Sequence, residues 1–200
     1  VTTNRPWTDM VLATLDAEQR AGRVILRSEA VEIPTMVRPG DASRLATRIV
    51  ELRAVGPEFP LYGALTLRDG VYTHALLAGH GAVVRPELLA QFGLGVGDPI
   101  LIGTQAFEIR GVITAEPGRR IGAFTLGPRV IIDRADLDST GLLAFGSRAS
   151  FQQLLRVPDT VSEDLVRDLR AAFANEFVGV RWYRRTEDQK FVIIFSKPKA

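Results

Sequence analysis

The chain has 200 residues, 46% of them hydrophobic, and a chain of this size can bury roughly 70% of the surface of its unfolded form, so one domain or two closely packed lobes are expected. With 25 Lys and Arg against 23 Asp and Glu, the formal net charge is only +2 and the basic residues are scattered, which argues against a nucleic-acid-binding protein. The absence of cysteine excludes disulfides, thiol catalysis and cysteine-based zinc sites.

The chain opens with a predicted helix and an extended segment. Thr8 to Ala21 has the apolar spacing of a short amphipathic helix, and Gly22 follows where a left-handed backbone conformation would end it. Arg23 to Val37 alternates only in places, which predicts a strand or a bent pair of strands.

The next segment, Arg48 to Val55, alternates between two chemically different faces. Successive side chains of a strand point to opposite sides, so one face carries Glu51 and Arg53 while the other carries aliphatic residues such as Leu52. The segment therefore predicts a half-buried strand.

Residues 56–63 are rich in glycine and proline, which predicts a loop. Phe59, Leu61 and Tyr62 are apolar residues within this loop. We expect them to anchor the loop, and they are also the candidate interaction surface that the sequence suggests.

A second compact unit is predicted to begin near Ala82 with a short strand. Pro86 suits the first position of a helix of about two turns, and Gly93 ends that helix. The turn from Gly95 to Asp98 then leads into a small β-meander. The strands expected in this unit are Pro99 to Ile102, Ala106 to Thr114 and Arg129 to Ile132.

The C-terminal part predicts a strand, a helix and a strand. Asp133 is expected to cap a short helical segment, and Ser147 to Val157 predicts a strand. The clearest helix of the chain follows, with Ser162 as its expected cap and apolar residues at every fourth position. Val178 to Arg184 predicts another strand, so this part resembles half of a split βαβ unit.

Phe191 to Phe195 is an apolar run near the end of the chain. It is far shorter than the ~20 residues that cross a bilayer, and no signal-peptide pattern opens the chain, so the chain is expected to be soluble. Val1 in place of Met suggests a processed protein or a piece of a longer one. Residues 190–200 are interpreted as a tail. Three interpretations of this tail stay open: a last strand, the start of a membrane helix, or a non-native addition.

The motifs of several enzyme classes are missing from the sequence. It contains no Walker A loop, and the glycines near Gly95 have the spacing of turns rather than of a dinucleotide-binding loop. His74 and His80 are the only histidines and have no metal-binding spacing. Gly146 to Ser150 differs at its last position from the GxSxG turn of serine hydrolases.

Two other groups of polar residues could suggest catalysis or cation binding, but each has a simpler structural explanation. His80 could be combined with Asp69 and Ser147 as a hydrolytic triad, but a glycine-flanked surface histidine is the simpler interpretation. Three aspartates could bind a hard cation, although the capping of short helices accounts for them. These aspartates are Asp133, Asp136 and Asp138.

Several segments follow one another in a recognisable order and spacing, beginning with Val50 to Gly63. The later ones are Val83 to Leu89, Leu94 to Asp98 and Phe107 to Ile113. Over roughly residues 8–185 the chain thereby resembles the extracytoplasmic domain of MacB/FtsX-type ABC transporter permeases. The stretch from Phe124 to Leu142 is most similar to the YbbP-like subgroup, export permeases linked to a lysophospholipase.

The resemblance implies an α+β fold with two lobes, as the order of predicted elements does. Residues 1–81 and 147–189 would form a porter-like mixed α/β lobe, and residues 82–146 a smaller, mainly β lobe inserted into it. Eight residues of the family's motifs are expected to have structural roles. They are Gly63, Pro86, Gly95, Gly97, Asp98, Gly111, Gly127 and Pro128.

The resemblance further implies a non-catalytic domain on the periplasmic side of a bacterial inner-membrane permease, between membrane helices. A separate cytoplasmic ABC ATPase would bind the ATP, so no cofactor is expected in this chain. Its cycle would move the domain and drive the export or extraction of a hydrophobic or lipid-like substrate, or act on a periplasmic esterase or adaptor. No nucleic-acid partner is implied.

Two other functions stay open from the residues alone. A free-standing periplasmic binding module for a lipid or peptide would need a sizeable aliphatic pocket. A hydrolase, the least favoured, would need a serine, a histidine and an acid in one cleft. The permease interpretation requires the two ends of the chain to lie close together, so Thr8 and Arg185 should not lie at opposite poles.

Overall fold

The structure is a computed structural model that describes residues 7–116, 127–144, 147–176, 178–184 and 190–196. The α-helices are α1 (Asp9–Arg20), α2 (Pro86–Phe92) and α3 (Ser162–Ala172). The strands are β1 (Leu26–Pro39), β2 (Arg48–Val55), β3 (Thr66–Leu67), β4 (Gly70–Val71), β5 (Gly81–Val84), β6 (Pro99–Ile102), β7 (Gln105–Ala115), β8 (Arg129–Asp133), β9 (Ser150–Arg156), β10 (Val178–Arg184) and β11 (Lys190–Ser196). No helix in these ranges is both long and apolar enough to cross a membrane.

The strands form one mixed sheet in the order β10-β11-β9-β1-β2-β8-β5-β7-β3-β4, and β6 pairs with the ends of β1 and β7. The pairs β2–β8 and β5–β7 are parallel, whereas the other pairs are antiparallel. In the part of the chain that the structure describes, three α-helices accompany this sheet, so the α+β class predicted from the sequence is confirmed.

Strand pairing joins the two segments that the sequence assigned to separate lobes. β8, from residues 82–146, pairs in parallel with β2, and β6 pairs with β1 over Val37–Pro39. One apolar cluster also contains Leu52 of β2 together with Val84 of β5. The two segments therefore share a sheet and a core, and the division into two lobes stays a prediction.

One face of the sheet carries the largest apolar cluster, with α2 packed on it. Leu88 and Phe92 of α2 are buried against strand residues such as Leu52 and Ile132. The helix begins at Pro86 and ends before Gly93, whose left-handed φ of 60° suits glycine, so both of its predicted boundaries are confirmed.

Part of the opposite face is covered by the segment between β2 and β5. Apolar residues of this segment are buried against strand residues such as Val83 and Ile131. The covering side chains are Phe59, Leu61, Leu65, Leu67, Tyr72 and Leu77. The rest of this face lies toward the start of β8 and carries charged side chains.

A third apolar cluster joins α1 and α3 to β9 and β10. Leu15 of α1 is fully buried there with Leu155 and Leu169, which confirms the amphipathic helix predicted at the start of the chain. An ion pair at 2.8 Å between Arg23 Nη1 and Asp168 Oδ2 also links the end of α1 to α3.

One sequence prediction for the C-terminal part is wrong, and a further strand follows β10. Ser162 is the first residue of α3 and not its cap, because its hydroxyl donates a hydrogen bond to the carbonyl oxygen of Asp159 at 3.2 Å. The apolar run Phe191 to Phe195 lies in β11, which pairs between β9 and β10.

Candidate functional site

Six charged side chains come together on the uncovered part of the second sheet face. Strand register brings them there, because Glu32 of β1 lies opposite Arg53 of β2, and Glu51 of β2 lies opposite Arg129 of β8. The residues that follow β5 and β7 complete the group. This charge cluster consists of Glu32, Glu51, Arg53, Arg85, Glu116 and Arg129.

Arg129 is the centre of the charge cluster. Its Nη1 donates to Glu32 Oε1 at 2.9 Å, and its Nη2 and Nε lie 3.5 Å from Glu51 Oε2 and 3.8 Å from Glu116 Oε2. Only 12% of this side chain is exposed. One guanidinium group therefore links β8 to β1, to β2 and to the end of β7.

Glu116 is the most deeply buried member of the charge cluster, with 2% of its side chain exposed. Arg53 Nη1 donates to its Oε1 at 3.1 Å, and Arg85 Nη2 lies 3.8 Å from its Oε2. The guanidinium of Arg53 also lies 4.9 Å from the ring centroid of Phe59, an arrangement in which the cation is attracted to the face of the ring. Arg53 thus connects the charge cluster to the apolar covering segment.

The opposite charges hold one another in their ionised forms. Burial by itself would raise the pKa of Glu32, but the charges of Arg53 and Arg129 and hydrogen bonds from Arg129 and Gln152 lower it overall. Burial by itself would lower the pKa of Arg129, but Glu32, Glu116 and Glu51 raise it overall. Three positive and three negative charges balance, so the cluster attracts no particular ligand charge.

Removing charges from water costs free energy that ion pairing only partly offsets. The cost is visible here, since the Nε atoms of Arg53, Arg85 and Arg129 and the Oε2 of Glu116 are buried without a hydrogen-bond partner. In some proteins a buried cluster of this kind selects one arrangement of the chain rather than adding stability. We therefore interpret the charge cluster as a structural element that fixes the position of residues 82–146 relative to residues 1–81.

The motif residues expected to be structural are dispersed through the fold and do not form one site. The turn from Gly95 to Asp98 is closed by a hydrogen bond of 2.8 Å from the Gly95 N–H to Asp98 Oδ2. Gly97 donates to the Ile109 carbonyl at 2.8 Å, which attaches the turn to β7. Gly63 has a left-handed φ of 66° in the covering loop.

Two of these glycines allow close approach of other chain segments. A Cβ atom on Gly127 would lie 2.1 Å from the carbonyl oxygen of Ile49, and one on Gly111 would lie 2.9 Å from a methyl of Leu67. Next to Gly127, the Pro128 carbonyl accepts a hydrogen bond from the N–H of Glu51 at 3.1 Å. Gly127 and Pro128 thereby bring the start of β8, and with it the charge cluster, against β2.

The candidate interaction surface in the covering loop is largely internal. Phe59 and Leu61 are only 7% and 8% exposed, and they pack in the cluster beneath the loop. Tyr62 is partly exposed, and the guanidinium of Arg156 lies 5.5 Å from the centroid of its ring. Because Phe59 and Leu61 are buried, they anchor the loop, which is the other role that the sequence suggested for them. Of the three residues, Tyr62 is the one whose side chain is partly accessible from outside.

Each histidine lies beside an aspartate, and neither of these aspartates is Asp69, the acid considered for a hydrolytic triad. His74 Nε2 lies 3.1 Å from Asp133 Oδ2, and His80 Nε2 lies 3.8 Å from Asp136 Oδ1. The Asp133 carboxylate also caps the next turn by accepting from the N–H of Ala135 at 3.0 Å, as predicted. Within the described ranges, no three acidic or histidine side chains are grouped as a metal ion would require.

The start of α1 lies against the connection between α3 and β10. Thr8 Oγ1 donates a hydrogen bond to Glu176 Oε2 at 2.7 Å, although the two residues are 168 positions apart in the chain. Arg185, the other residue used to predict that the chain ends are close, lies outside the described residues.

The charge cluster was not recognised from the sequence. The alternation of β2 places Glu51 and Arg53 on one face, which was a signal for it. Their partners Glu32, Glu116 and Arg129 come from three other elements, and which strands pair is a property of the fold rather than of any local pattern.

Comparison with known proteins gives one family and two kinds of relative. The family model of the MacB-like periplasmic core domain matches residues 3–172. The uncharacterized ABC transporter permease YbbP of Escherichia coli (strain K12) is 30% identical over 141 residues. That match covers 70% of this chain and 16% of the permease, so this chain spans about one sixth of that relative's length.

Two solved structures have a similar fold. The extracellular domain of the noncanonical ABC-type transporter YknZ from Gram-positive bacteria gives a TM-score of 0.53 at 12% identity, over 84% of this chain and 83% of that one. A domain of a protein assigned as a permease from Porphyromonas gingivalis gives 0.53 at 15% identity, over 92% and 82%. At these identities the likeness concerns the fold.

We predict that Arg129→Met lowers the free energy of unfolding by roughly 3–5 kcal/mol, because it leaves Glu32, Glu51 and Glu116 without their shared cation. Urea unfolding measures the change. The control is Arg167→Met at a side chain that is 71% exposed, which should change the value by no more than about 0.5 kcal/mol. Equal stability of the two variants would contradict a structural role for the charge cluster.

The lowered pKa of Glu32 predicts a pH dependence of stability. The folded-state pKa lies below that of the unfolded chain, about 4.3, so the contribution of Glu32 is complete above that value and is lost as the pH falls through the folded-state pKa. Glu32→Gln should therefore be less stable than the wild type at neutral pH and converge with it in acid. Urea unfolding over a pH series tests this, and parallel stability curves would contradict it.

Proposed function

The chain belongs to the family of MacB-like periplasmic core domains, and we propose that it is the extracytoplasmic domain of an ABC transporter permease in a bacterial inner membrane. In this proposal the domain is not catalytic. It receives movement from membrane helices, driven by a cytoplasmic ABC ATPase that binds ATP, and passes that movement to a substrate or a partner.

The observation that carries this proposal is the position of the start of α1 beside the end of the last strand. Thr8 donates to Glu176 at 2.7 Å, and Glu176 lies just before β10, whose first residue Val178 pairs with Ser196 at the end of β11. A domain inserted between two membrane helices must leave the membrane and return to it, so its first and last elements must be neighbours. This contact supports the insertion.

The course of the strands supports a direction for the movement. Phe195, near the end of β11, lies in the same row of the sheet as Ala30 of β1, because β9 pairs between them. From Ala30, β1 runs on for nine residues to Pro39, a length of about 30 Å. The turn between β1 and β2 therefore lies well away from the end of β11 along the sheet.

The sheet and the charge cluster supply the stiffness that such a domain needs. A displacement can cross the molecule only if its parts do not move independently, and the family match covers both segments that the charge cluster joins. The domain would act on a hydrophobic or lipid-like substrate, or on a periplasmic esterase or adaptor, as the sequence resemblance to the YbbP-like permeases implies.

We predict that Leu45→Cys in the full-length permease reacts with a membrane-impermeant maleimide in intact spheroplasts. Leu45 is 94% exposed and this segment contains no cysteine, so the introduced thiol is its only reactive one. A cytoplasmic segment would react only after lysis. Labelling that requires lysis would contradict the proposed location.

We also predict that the domain moves as one body during the ATPase cycle. Ile25 precedes β1 and Leu45 lies in the turn after it, and both side chains are exposed. Spin labels at these two positions should keep a constant separation when ATP is added to the full-length complex. The distance from either label to one on the ATPase should change. Rigid coupling would be contradicted if the distance between the two labels within the domain changed as much as the distance to the label on the ATPase.

A further inference from the structure

The hairpin of β1 and β2 exposes a group of apolar side chains. Seven large hydrophobic residues are exposed among the residues that the structure describes, and three of them belong to this hairpin: Met36 at 59%, Leu45 at 94% and Ile49 at 49%. Met36 and Ile49 are directly opposite each other across the two strands. They form a continuous apolar pair below the turn that carries Leu45.

The same hairpin is strongly basic. Between residues 34 and 49, three arginines stand against Asp41 alone, which gives a net charge of +2, equal to that of the whole chain. All four charged residues are exposed. The arginines are Arg38, Arg44 and Arg48. An exposed apolar patch with a polar, charged rim is typical of an interaction site.

The turn is held in place although its side chains are exposed. The Gly40 N–H donates to the Pro99 carbonyl at 2.8 Å, and Arg44 Nη2 donates to the carbonyl of Phe92 at the end of α2. Asp41 Oδ1 accepts from the Ser43 N–H at 2.9 Å inside the turn. A surface that is already ordered loses less entropy on binding a partner, which favours affinity.

We propose that this hairpin tip, residues 34–49, docks an acidic amphipathic segment of a partner protein. The apolar pair and Leu45 would contact the apolar side of that segment, and the arginines its carboxylates. Methionine and arginine are both enriched in protein interfaces. The choice of a protein over an anionic membrane rests on the proposed function, because the tip lies about 30 Å along β1 from the row of the sheet in which β11 ends.

The test uses the 200-residue chain and two synthetic peptides of the same length, one of alternating leucine and glutamate blocks that forms an amphipathic helix and one with lysine in place of glutamate. Binding is measured by fluorescence anisotropy at low and high salt. The acidic peptide should bind and weaken with salt, and the lysine peptide should not bind. The double variant Met36→Ser/Ile49→Ser should weaken acidic-peptide binding about tenfold.

A matched control removes exposed apolar side chains elsewhere. Ile25 is as exposed as Ile49, at 49%, and Val71 is 65% exposed, so Ile25→Ser/Val71→Ser should bind the acidic peptide like the wild type. Leu45→Ser, at a side chain that packs against almost nothing, supplies a hairpin variant that cannot disturb the core. Circular dichroism verifies that each variant is folded.

Several results would overturn the proposal. They are no binding of the acidic peptide, equal binding of the lysine peptide, or the same loss in the control as in the hairpin variants. Binding to phosphatidylglycerol vesicles but not to phosphatidylcholine vesicles, with the same dependence on Met36 and Ile49, would assign the tip to lipid instead. Peptide binding is measured without a membrane, so it can succeed or fail independently of the labelling test of the proposed function.

Discussion

The register between β2 and β8 is the constraint on which the rest of the fold depends. These strands are parallel and far apart in sequence, and their pairing places Leu52 beside Val130 on the apolar face and Glu51 beside Arg129 on the charged face. Shifting one strand by a single residue would exchange its two faces and turn Arg129 toward the core. Apolar burial on one side and ion pairing on the other thus select the same register.

Structural features that depend on residues close together in the sequence could be predicted, whereas features that depend on distant residues could not. Boundaries set by neighbouring residues were predicted well, as for α2 between Pro86 and Gly93, and the order of motifs identified the family that the family model confirms. Ser162 was misassigned because its sequence neighbourhood suits a cap, whereas its hydroxyl bonds back to Asp159. The two-residue strands β3 and β4 are too short for any periodic pattern to indicate.

The candidate site was harder to predict than the fold, for a physical reason. A charged side chain in a half-buried strand normally indicates a solvated face, and nothing local distinguishes Glu51 or Arg53 from such a case. Their burial follows from the approach of the chain at Gly127, where the absence of a Cβ lets β8 pack against the backbone of Ile49. The glycine was recognised from the family resemblance, but the cluster that it brings together was not.

A long stiff sheet makes small movements at one end large at the other. If membrane helices rotate the part of the sheet in which β11 ends by about 5°, a rigid strand length of about 30 Å carries the hairpin tip through about 3 Å. That displacement is comparable to the size of a side chain, which is the scale on which the proposed docking contacts form and separate. It requires that the two strand segments do not slide, which the ion pairs of Arg129 to Glu32 and Glu51 oppose. Under the proposed function, the free-energy cost of burying these charges would have a purpose besides stability, because it keeps the strand segments in one register.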